Sequence, residues 1–271
     1  MKKYFIPLLV IAVCFSNCTA PSYLLSQLHT DSHPYYTIPV KSDSIKSATY
    51  VNAHFTTGAA NYDLRDNTYD FQGSFSRSHN FGHFQAYYAA NIILGDYDLH
   101  DYSNNNISYP QQNKYFGAYG FNGGIDLAET IDRHGSEFRI GAESSLQREF
   151  GDYLAFRKSL PDSAIDILDK EKFVKTLGIY VEIIKKMRSS GNELGYKLGV
   201  GSSAVSRKHY QGDSSQINPT YFTNTFHFTR NSFTTFAQFN VGTKDVSFQI
   251  GGSYRLGKKM RKSVTEPLPS N

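Results

Sequence analysis

Two residue types that act together in acyl transfer lie two positions apart in the run His134-Gly135-Ser136. A serine hydroxyl becomes a nucleophile when a histidine accepts its proton and a third polar group orients that histidine. On a β-strand His134 and Ser136 would share a face, because side chains alternate with a period of two. Glu143 or Glu149 could supply the third group. The run allows a hydrolase, and in a turn it would be only a solvated histidine beside a serine.

The run His134-Gly135-Ser136-Glu137 also resembles the His-x-Ser-Asn motif of barrel-type lipid A deacylases. That resemblance would imply a lipid hydrolase, with Glu137 standing where the family has asparagine. We expect the chain not to be an enzyme and keep lipid hydrolysis as the third of three hypotheses.

A second pair, His79 and His83, has the spacing that places two metal ligands on one face of a helix. Gly82 lies just before His83, and in a glycine-containing turn the spacing loses that meaning. The chain has two cysteines, Cys14 and Cys18, which are too few for a thiolate zinc site. We therefore predict no metal and no other cofactor.

The N-terminus has the layout of an export signal. A basic start, Met1-Lys2-Lys3, precedes the apolar stretch Tyr4 to Phe15, and small or polar residues follow to Ala20. The apolar stretch is too short to be a stable transmembrane anchor. An ordinary signal peptide would be cut near Ala20.

The run Phe15-Ser16-Asn17-Cys18 resembles a bacterial lipoprotein processing site, in the looser form common in Bacteroidetes. The resemblance implies cleavage before Cys18 and acylation of its thiol and of the new amino group. Two or three acyl chains would hold the protein on a membrane without a spanning segment.

The sequence then divides into a signal peptide at 1–17, a lipidated tether at 18–46, a β domain at 47–257 and a basic tail at 258–271. The tether contains Pro21, Pro34 and Pro39, and it shows no clean period apart from a short helix predicted at 23–28. The tail carries a cluster that could contact anionic headgroups, Lys258, Lys259, Arg261 and Lys262.

From residue 47 onward, segments of about ten residues alternate between apolar and polar side chains. In the clearest segment Val246, Phe248 and Ile250 share one face, and Ser247 and Gln249 share the other. No apolar run after residue 20 is long enough for a membrane-spanning helix, which excludes a polytopic helical membrane protein. Further alternating segments lie at 48–56, 69–76, 83–93, 114–124, 138–147, 177–183, 194–200, 219–228 and 233–241.

Strands of about 9 to 12 residues are longer than most globular strands and match the length that crosses a bilayer at a tilt. A soluble barrel turns its apolar face inward, whereas a membrane barrel turns that face toward lipid and lines its lumen with polar groups. We predict an all-β fold, a closed antiparallel β-barrel of about eight to ten strands in the outer membrane, with Val246, Phe248 and Ile250 facing outward.

The last strand resembles the terminal signal of Gram-negative outer-membrane barrels, which the barrel-assembly machinery reads. Four residues match that pattern, Gln249, Gly251, Tyr254 and Leu256. Aromatic residues at the membrane–water boundary are expected in such a barrel, and candidates are Tyr87, Tyr88, Tyr115, Tyr119, Tyr221 and Phe222.

We place both termini in the periplasm, which assigns the mostly long connections to the outside and the mostly short ones to the inside. The predicted outside connections are 57–68, 95–113, 148–175, 206–218 and 242–245, and the inside ones are 79–82, 125–135, 187–192 and 229–232. Within 148–175, Asp162 or Ser163 could cap a short helix that includes Ile165, Leu168 and Phe173.

The first functional hypothesis is a lipid-anchored outer-membrane barrel that acts as a structural or accessory subunit of a cell-envelope complex, or as a small pore. The second is a soluble lipid-anchored β-barrel that binds an apolar ligand. Expected partners are outer-membrane lipid, the barrel-assembly machinery and an envelope protein. The formal net charge of +4, half of which comes from Lys2 and Lys3, is too small to indicate nucleic-acid binding.

Overall fold

In the computed structural model, ten long strands close into one antiparallel barrel. The structure describes residues 23–42, 45–61, 64–103, 107–161, 165, 167–187, 191–204, 218–243 and 245–257. Cys18 and the basic cluster of the tail lie outside these residues. The barrel strands are β2 (Ser47–Ala60), β3 (Asp66–Asn80), β4 (Phe84–Leu99), β7 (Gln112–Thr130), β8 (Glu137–Gly151), β10 (Phe173–Lys186), β11 (Glu193–Ala204), β12 (Thr220–Arg230), β13 (Phe233–Gly242) and β14 (Asp245–Arg255).

Each barrel strand pairs with its neighbours in chain order, and β14 pairs with β2 to close the ring. The closing register sets Ile250 opposite Phe55 and Tyr254 opposite Val51. The prediction of a closed antiparallel barrel of about eight to ten strands is confirmed.

The remaining elements are short. Strand β1 (Tyr23–Leu24) pairs in parallel with β9 (Ile167–Leu168), and β5 (Tyr102–Ser103) pairs with β6 (Ser108–Tyr109) within one connection. The two helices are α1 (Leu28–Asp31) and α2 (Asp152–Ser159). Neither described helix is long and apolar enough to cross a membrane.

The apolar faces of the strands point outward. On β14, Phe248 is 43% exposed and Ile250 is 55% exposed, Val246 is partly exposed, and Ser247 and Gln249 are buried. Every barrel strand continues this alternation and covers the wall with exposed apolar side chains, among them Val51, Phe55, Phe71, Phe75, Ile92, Phe121, Leu127, Ile140, Leu177, Ile179, Val200, Phe226 and Phe239. The predicted direction of the two faces is confirmed.

The aromatic candidates for the membrane boundary separate into two groups. Tyr88, Tyr115, Tyr119 and Phe222 are exposed on the outer wall. Tyr87 and Tyr221 are buried in the lumen and were wrongly included. Successive side chains of a strand point to opposite faces. Tyr87 precedes the outward-facing Tyr88 and Tyr221 precedes the outward-facing Phe222, so both tyrosines point into the lumen.

The two ends of the barrel carry different connections. One end, which we call the long-connection end, is where the chain connects strands over 61–65, 100–111, 152–172, 205–219 and 243–244. The other end, which we call the short-turn end, has the connections 81–83, 131–136, 187–192 and 231–232. The predicted asymmetry of connection length is therefore present.

Two predicted helices are wrong. Tyr23 and Leu24 form a strand, and the helix begins only at Leu28. In the connection 152–172 the helix lies at Asp152–Ser159, whereas Leu168 belongs to β9 and Phe173 begins β10. Leu168 pairs with Leu24, so a contact distant in sequence overrides the local helical pattern.

An arginine placed on the outer wall tests the direction of the faces. Ile179, 62% exposed on β10, is flanked by wall residues, whereas Met187 lies in a turn beyond the strand. Ile179→Arg should lower the unfolding free energy in lipid by about 2–4 kcal/mol, because a charge there meets hydrocarbon. Met187→Arg is the matched control. The unfolding free energy of both variants is measured by urea unfolding in lipid vesicles. An equal decrease in Ile179→Arg and Met187→Arg would contradict an outward apolar face.

Candidate functional site in the barrel lumen

The lumen is occupied by the chain's own N-terminal region. We define the lumen segment as residues 24–40, all of which are buried. The sequence predicted a lipidated tether over 18–46, and residues 24–40 of that stretch are packed inside the barrel. The segment has no strand or helix period because it packs against side chains on every side.

The lumen segment begins at the long-connection end. The backbone amide of Leu25 donates to Asn61 Oδ1 at 3.0 Å, and the Tyr153 hydroxyl donates to the Leu25 carbonyl oxygen at 2.7 Å. A buried apolar cluster covers this end, formed by Leu24, Leu28, Ala60, Ile93, Tyr97, Leu99, Phe116, Ala118, Tyr153, Leu160, Ile165, Leu168 and Val174. The connection 152–172 therefore lies over the mouth of the barrel and packs on the lumen segment.

The middle of the segment is held by polar side chains from opposite walls. Asn122 Nδ2 donates to the Ser32 carbonyl oxygen at 2.5 Å, and Gln238 Nε2 donates to the His33 carbonyl oxygen at 2.9 Å. The wall thus satisfies backbone oxygens that have no partner in regular secondary structure.

Aromatic stacking continues toward the short-turn end. The Tyr35 ring stacks on His227 at a centroid distance of 4.3 Å, and Tyr36 packs on Tyr87 at 5.0 Å. Asn80 Nδ2 donates to the Val40 carbonyl oxygen at 3.1 Å at the short-turn end. The segment therefore crosses the whole lumen from one end to the other.

Arg139 of β8 links the wall to the segment. Its side chain is 1% exposed, with Nε 2.5 Å from Glu137 Oε1 and Nη1 3.1 Å from Glu182 Oε2. Nη2 donates to the carbonyl oxygens of Ile38 at 3.2 Å and Pro39 at 3.5 Å. A buried guanidinium needs acceptors for its five donors, and an unpaired one is costly. The carbonyl oxygens of Ile38 and Pro39 thus serve as acceptors for Nη2, in addition to the carboxylates that the wall provides.

A second buried ion pair joins Lys197 and Glu143, whose Nζ and Oε2 atoms are 2.6 Å apart. The Tyr87 hydroxyl also donates to Glu143 at 3.3 Å, and the ammonium lies 4.0 Å from the Tyr180 ring centroid. Glu143 is therefore engaged inside the lumen and cannot orient His134.

A third buried network ties α2 to α1. Arg157 Nη2 lies 2.5 Å from Glu149 Oε1, Arg157 Nη1 lies 3.1 Å from Asp169 Oδ2, and His29 Nε2 lies 3.1 Å from the same oxygen. Burial alone would raise the pKa of Asp169, but the His29 hydrogen bond and the Arg157 charge outweigh it and lower that pKa to about 2. The carboxylate stays ionised and binds the mouth connection to the segment.

Asp31 ends α1 in a carboxyl-rich part of the lumen. Its Oδ1 accepts hydrogen bonds from Asn240 Nδ2 at 2.9 Å and from the Ser247 hydroxyl. The carboxyl groups of Asp70 and Asp245 interact with it electrostatically. The hydrogen bonds from Asn240 and Ser247 hold the end of α1 against β13 and β14.

His134 and Ser136 do not form a catalytic pair. Both lie in the turn 131–136 at the short-turn end, where His134 is exposed. The Ser136 hydroxyl accepts from the Lys186 backbone amide at 3.2 Å, and the backbone amides of His134 and Ser136 both donate to Asp132. The second proposed orienting group, Glu149, pairs with Arg157 at the far end of β8. The arrangement fits the alternative of a solvated turn histidine.

His79 and His83 lie on either side of the turn after β3. His79 stacks on Phe81 at 5.8 Å, while His83 Nδ1 lies 2.6 Å from Glu129 Oε1. The two imidazoles have different partners, and no metal-binding group of three or more ligands occurs among the described residues.

The residues of the terminal-signal resemblance lie on and just after β14. Gln249 faces the lumen and is fully buried, and Tyr254 and Leu256 are exposed on the outer side. An added Cβ at Gly251 would approach the His54 Cβ to 2.3 Å, so the lumen leaves no room for a side chain there. Recognition by the barrel-assembly machinery stays a prediction.

The sequence reading missed the role of residues 24–40. Two signals could have found it: His33, Tyr35 and Tyr36 are bulky side chains in a stretch without period, and Arg139 and Glu182 lie on a strand face predicted to be interior. Buried charges need partners, and such a lumen needs a filling segment.

Several solved structures are similar to this one at a low level. The β domain of the Bordetella autotransporter Brka is 10% identical, with a TM-score of 0.45, over 78% of this chain and 99% of that chain. An outer-membrane channel from Pseudomonas putida F1 is 9% identical, with a TM-score of 0.41, over 82% and 98%. The transport unit of the autotransporter AIDA-I from Escherichia coli is 9% identical, with a TM-score of 0.36, over 84% and 95%. No protein-family model and no curated protein matches the sequence.

Removing Arg157 should strongly destabilise the mouth of the barrel. Arg157→Ala leaves Glu149 and Asp169 buried without a guanidinium, at a cost of about 3–5 kcal/mol. Arg148→Ala is the control, because Arg148 is exposed, donates to the Tyr119 hydroxyl at 2.8 Å and otherwise lies only over the Tyr119 and Phe173 rings among the described contacts. It should cost below about 1 kcal/mol. Urea unfolding of the refolded barrel in detergent measures both, and equal losses would contradict the network.

Proposed function

We propose that this protein is an outer-membrane β-barrel lipoprotein, anchored also through acyl chains on Cys18, that serves as a structural or accessory subunit of a cell-envelope complex. The observation that carries the membrane location is the polarity of the barrel, with an apolar outer wall and a lumen filled with polar and charged side chains. Apolar exterior surface of this extent favours hydrocarbon over water.

The filled lumen supports a structural role over a pore. The lumen segment crosses the barrel, and its backbone is bonded to β7, β8 and β13 through Asn122, Arg139 and Gln238. Residues 24–40 are all buried, so the segment occupies the space that an aqueous channel would need. Opening such a channel would require the segment to move.

The two other hypotheses have less support. A soluble barrel for an apolar ligand needs an apolar interior, whereas the interior here contains Arg139, Lys197, Glu143 and Glu182. A lipid hydrolase of the proposed kind needs His134 hydrogen-bonded to Ser136, whereas the Ser136 hydroxyl accepts from the Lys186 backbone amide and the Ser136 amide donates to Asp132. Neither arrangement fits the chemistry required.

Fractionation and permeability together test the proposal. The protein should require detergent for extraction, should migrate differently on gels before and after heating, and should leave lipid vesicles impermeable to a small sugar. Extraction from Cys18→Ala cells without detergent would contradict a membrane barrel. Sugar permeation equal to that of a porin control would contradict a closed lumen and restore the pore hypothesis.

A crowding substitution identifies the segment as the barrier. A Cβ at Gly242 would lie 2.0 Å from Thr30 Oγ1, so Gly242→Val must displace the segment there. Gly73→Val is the matched control, since its nearest contact would be Ile92 Cγ2 at 3.9 Å. We expect sugar permeation to rise in Gly242→Val only. A rise in neither variant, with Gly242→Val still folded by gel migration, would place the barrier elsewhere.

A further inference from the structure

The lumen segment and the first barrel strand are joined at the short-turn end. Lys41 N donates to Glu137 Oε2 at 2.5 Å, and the Ser42 hydroxyl donates to the Gly135 carbonyl oxygen at 3.4 Å, both at the start of β8. Strand β2 then begins at Ser47, on the same end.

The other end of the segment lies at the opposite mouth. Tyr23 pairs with Ile167 inside the connection 152–172, and the buried Leu24 packs within the apolar cluster of that end. Arg255, the last residue of β14, lies with Asn231 and Ser232 at the short-turn end. Among the described residues, Tyr23 and Arg255 therefore lie at opposite ends of the barrel, while the two termini themselves lie outside the described residues.

Chain length fixes where residue 18 can lie. Four residues lie between it and Tyr23, and an extended chain spans at most about 18 Å over those five steps. A ten-stranded barrel has a backbone radius of about 10 Å, so the rim is within reach. The apolar band of such a barrel is about 25 Å tall, so the opposite lipid leaflet is not within reach.

We propose that the mature N-terminus threads the barrel once and leaves it at the long-connection end, so that the acyl chains on Cys18 enter the leaflet at that end. Long connections face the cell exterior in outer-membrane barrels. The anchor then lies in the outer leaflet and the N-terminus lies at the cell surface. This inference rests on the proposed function, because it needs both the barrel in the membrane and an acylated Cys18.

Thiol labelling of intact cells tests the threading. A membrane-impermeant PEG-maleimide shifts the gel mobility of any protein whose cysteine it reaches from outside. An acylated wild-type chain has no free thiol after residues 1–17 are removed. Three single variants report the positions: Ser22→Cys for the segment exit, Ser159→Cys for the long-connection end and Arg133→Cys for the short-turn end, with residues 133 and 159 exposed.

We expect Ser22→Cys and Ser159→Cys to be shifted in intact cells, and Arg133→Cys to be shifted only after lysis. The buried Ser26→Cys should remain unshifted in both states until the barrel is unfolded, which shows that the reagent does not pass the lumen. Heat-dependent gel migration of each variant verifies folding.

Two kinds of failure are distinguishable. If Ser22→Cys behaves like Arg133→Cys while the wild type stays unshifted, the threading is wrong and the lipoprotein proposal stands. If the wild-type chain itself is shifted, Cys18 carries a free thiol and the proposed acylation fails. If Ser159→Cys and Arg133→Cys are both shifted in intact cells, the outer-membrane orientation fails.

Discussion

The structure depends on the requirement that backbone amides and carbonyls be paired inside the protein wherever hydrocarbon surrounds it. An open sheet would leave two unpaired edges, and pairing of β14 with β2 removes both. The strand period then fixes the rest of the wall, because one register sends Phe248 and Ile250 outward and Gln249 inward. The closed ring and the apolar outer face therefore both follow from the need to pair every backbone group of the wall.

Closure creates a second problem, since the ring encloses space that must be filled. The inward faces carry Arg139, Lys197 and several carboxylates, whose burial is costly without partners. Carboxylates of the wall pair with Arg139 and Lys197. Carbonyl oxygens of the lumen segment accept the remaining described hydrogen bonds of Arg139. The mouth connection adds Arg157, which joins wall and segment through Asp169. The plug is therefore part of the fold.

The barrel itself follows from the sequence because alternation is local. Segments such as 246–254 show two faces directly, and strand length separates a membrane wall from a soluble one. The lumen segment could not be predicted in the same way, because its contacts join residues far apart in sequence, such as Asn240 and Asp31. Tyr87 and Tyr221 were misplaced because composition alone does not assign a face. His134 and Ser136 were candidates through spacing, and the structure places them in the turn at 131–136, away from Glu143 and Glu149, which pair with Lys197 and Arg157.

The central claim is that residues 24–40 fill the lumen, and a disulfide trap tests it most directly. The Thr37 hydroxyl oxygen lies 2.6 Å from that of Ser253 on β14, so cysteines at both positions should join on mild oxidation of the folded, otherwise cysteine-free chain. We predict an intramolecular bond that changes migration on a non-reducing gel, and no bond between cysteines at Thr37 and the outward-facing Thr235. Failure of the first pair to join, or equal joining of both pairs, would contradict a lumen filled by the N-terminal segment.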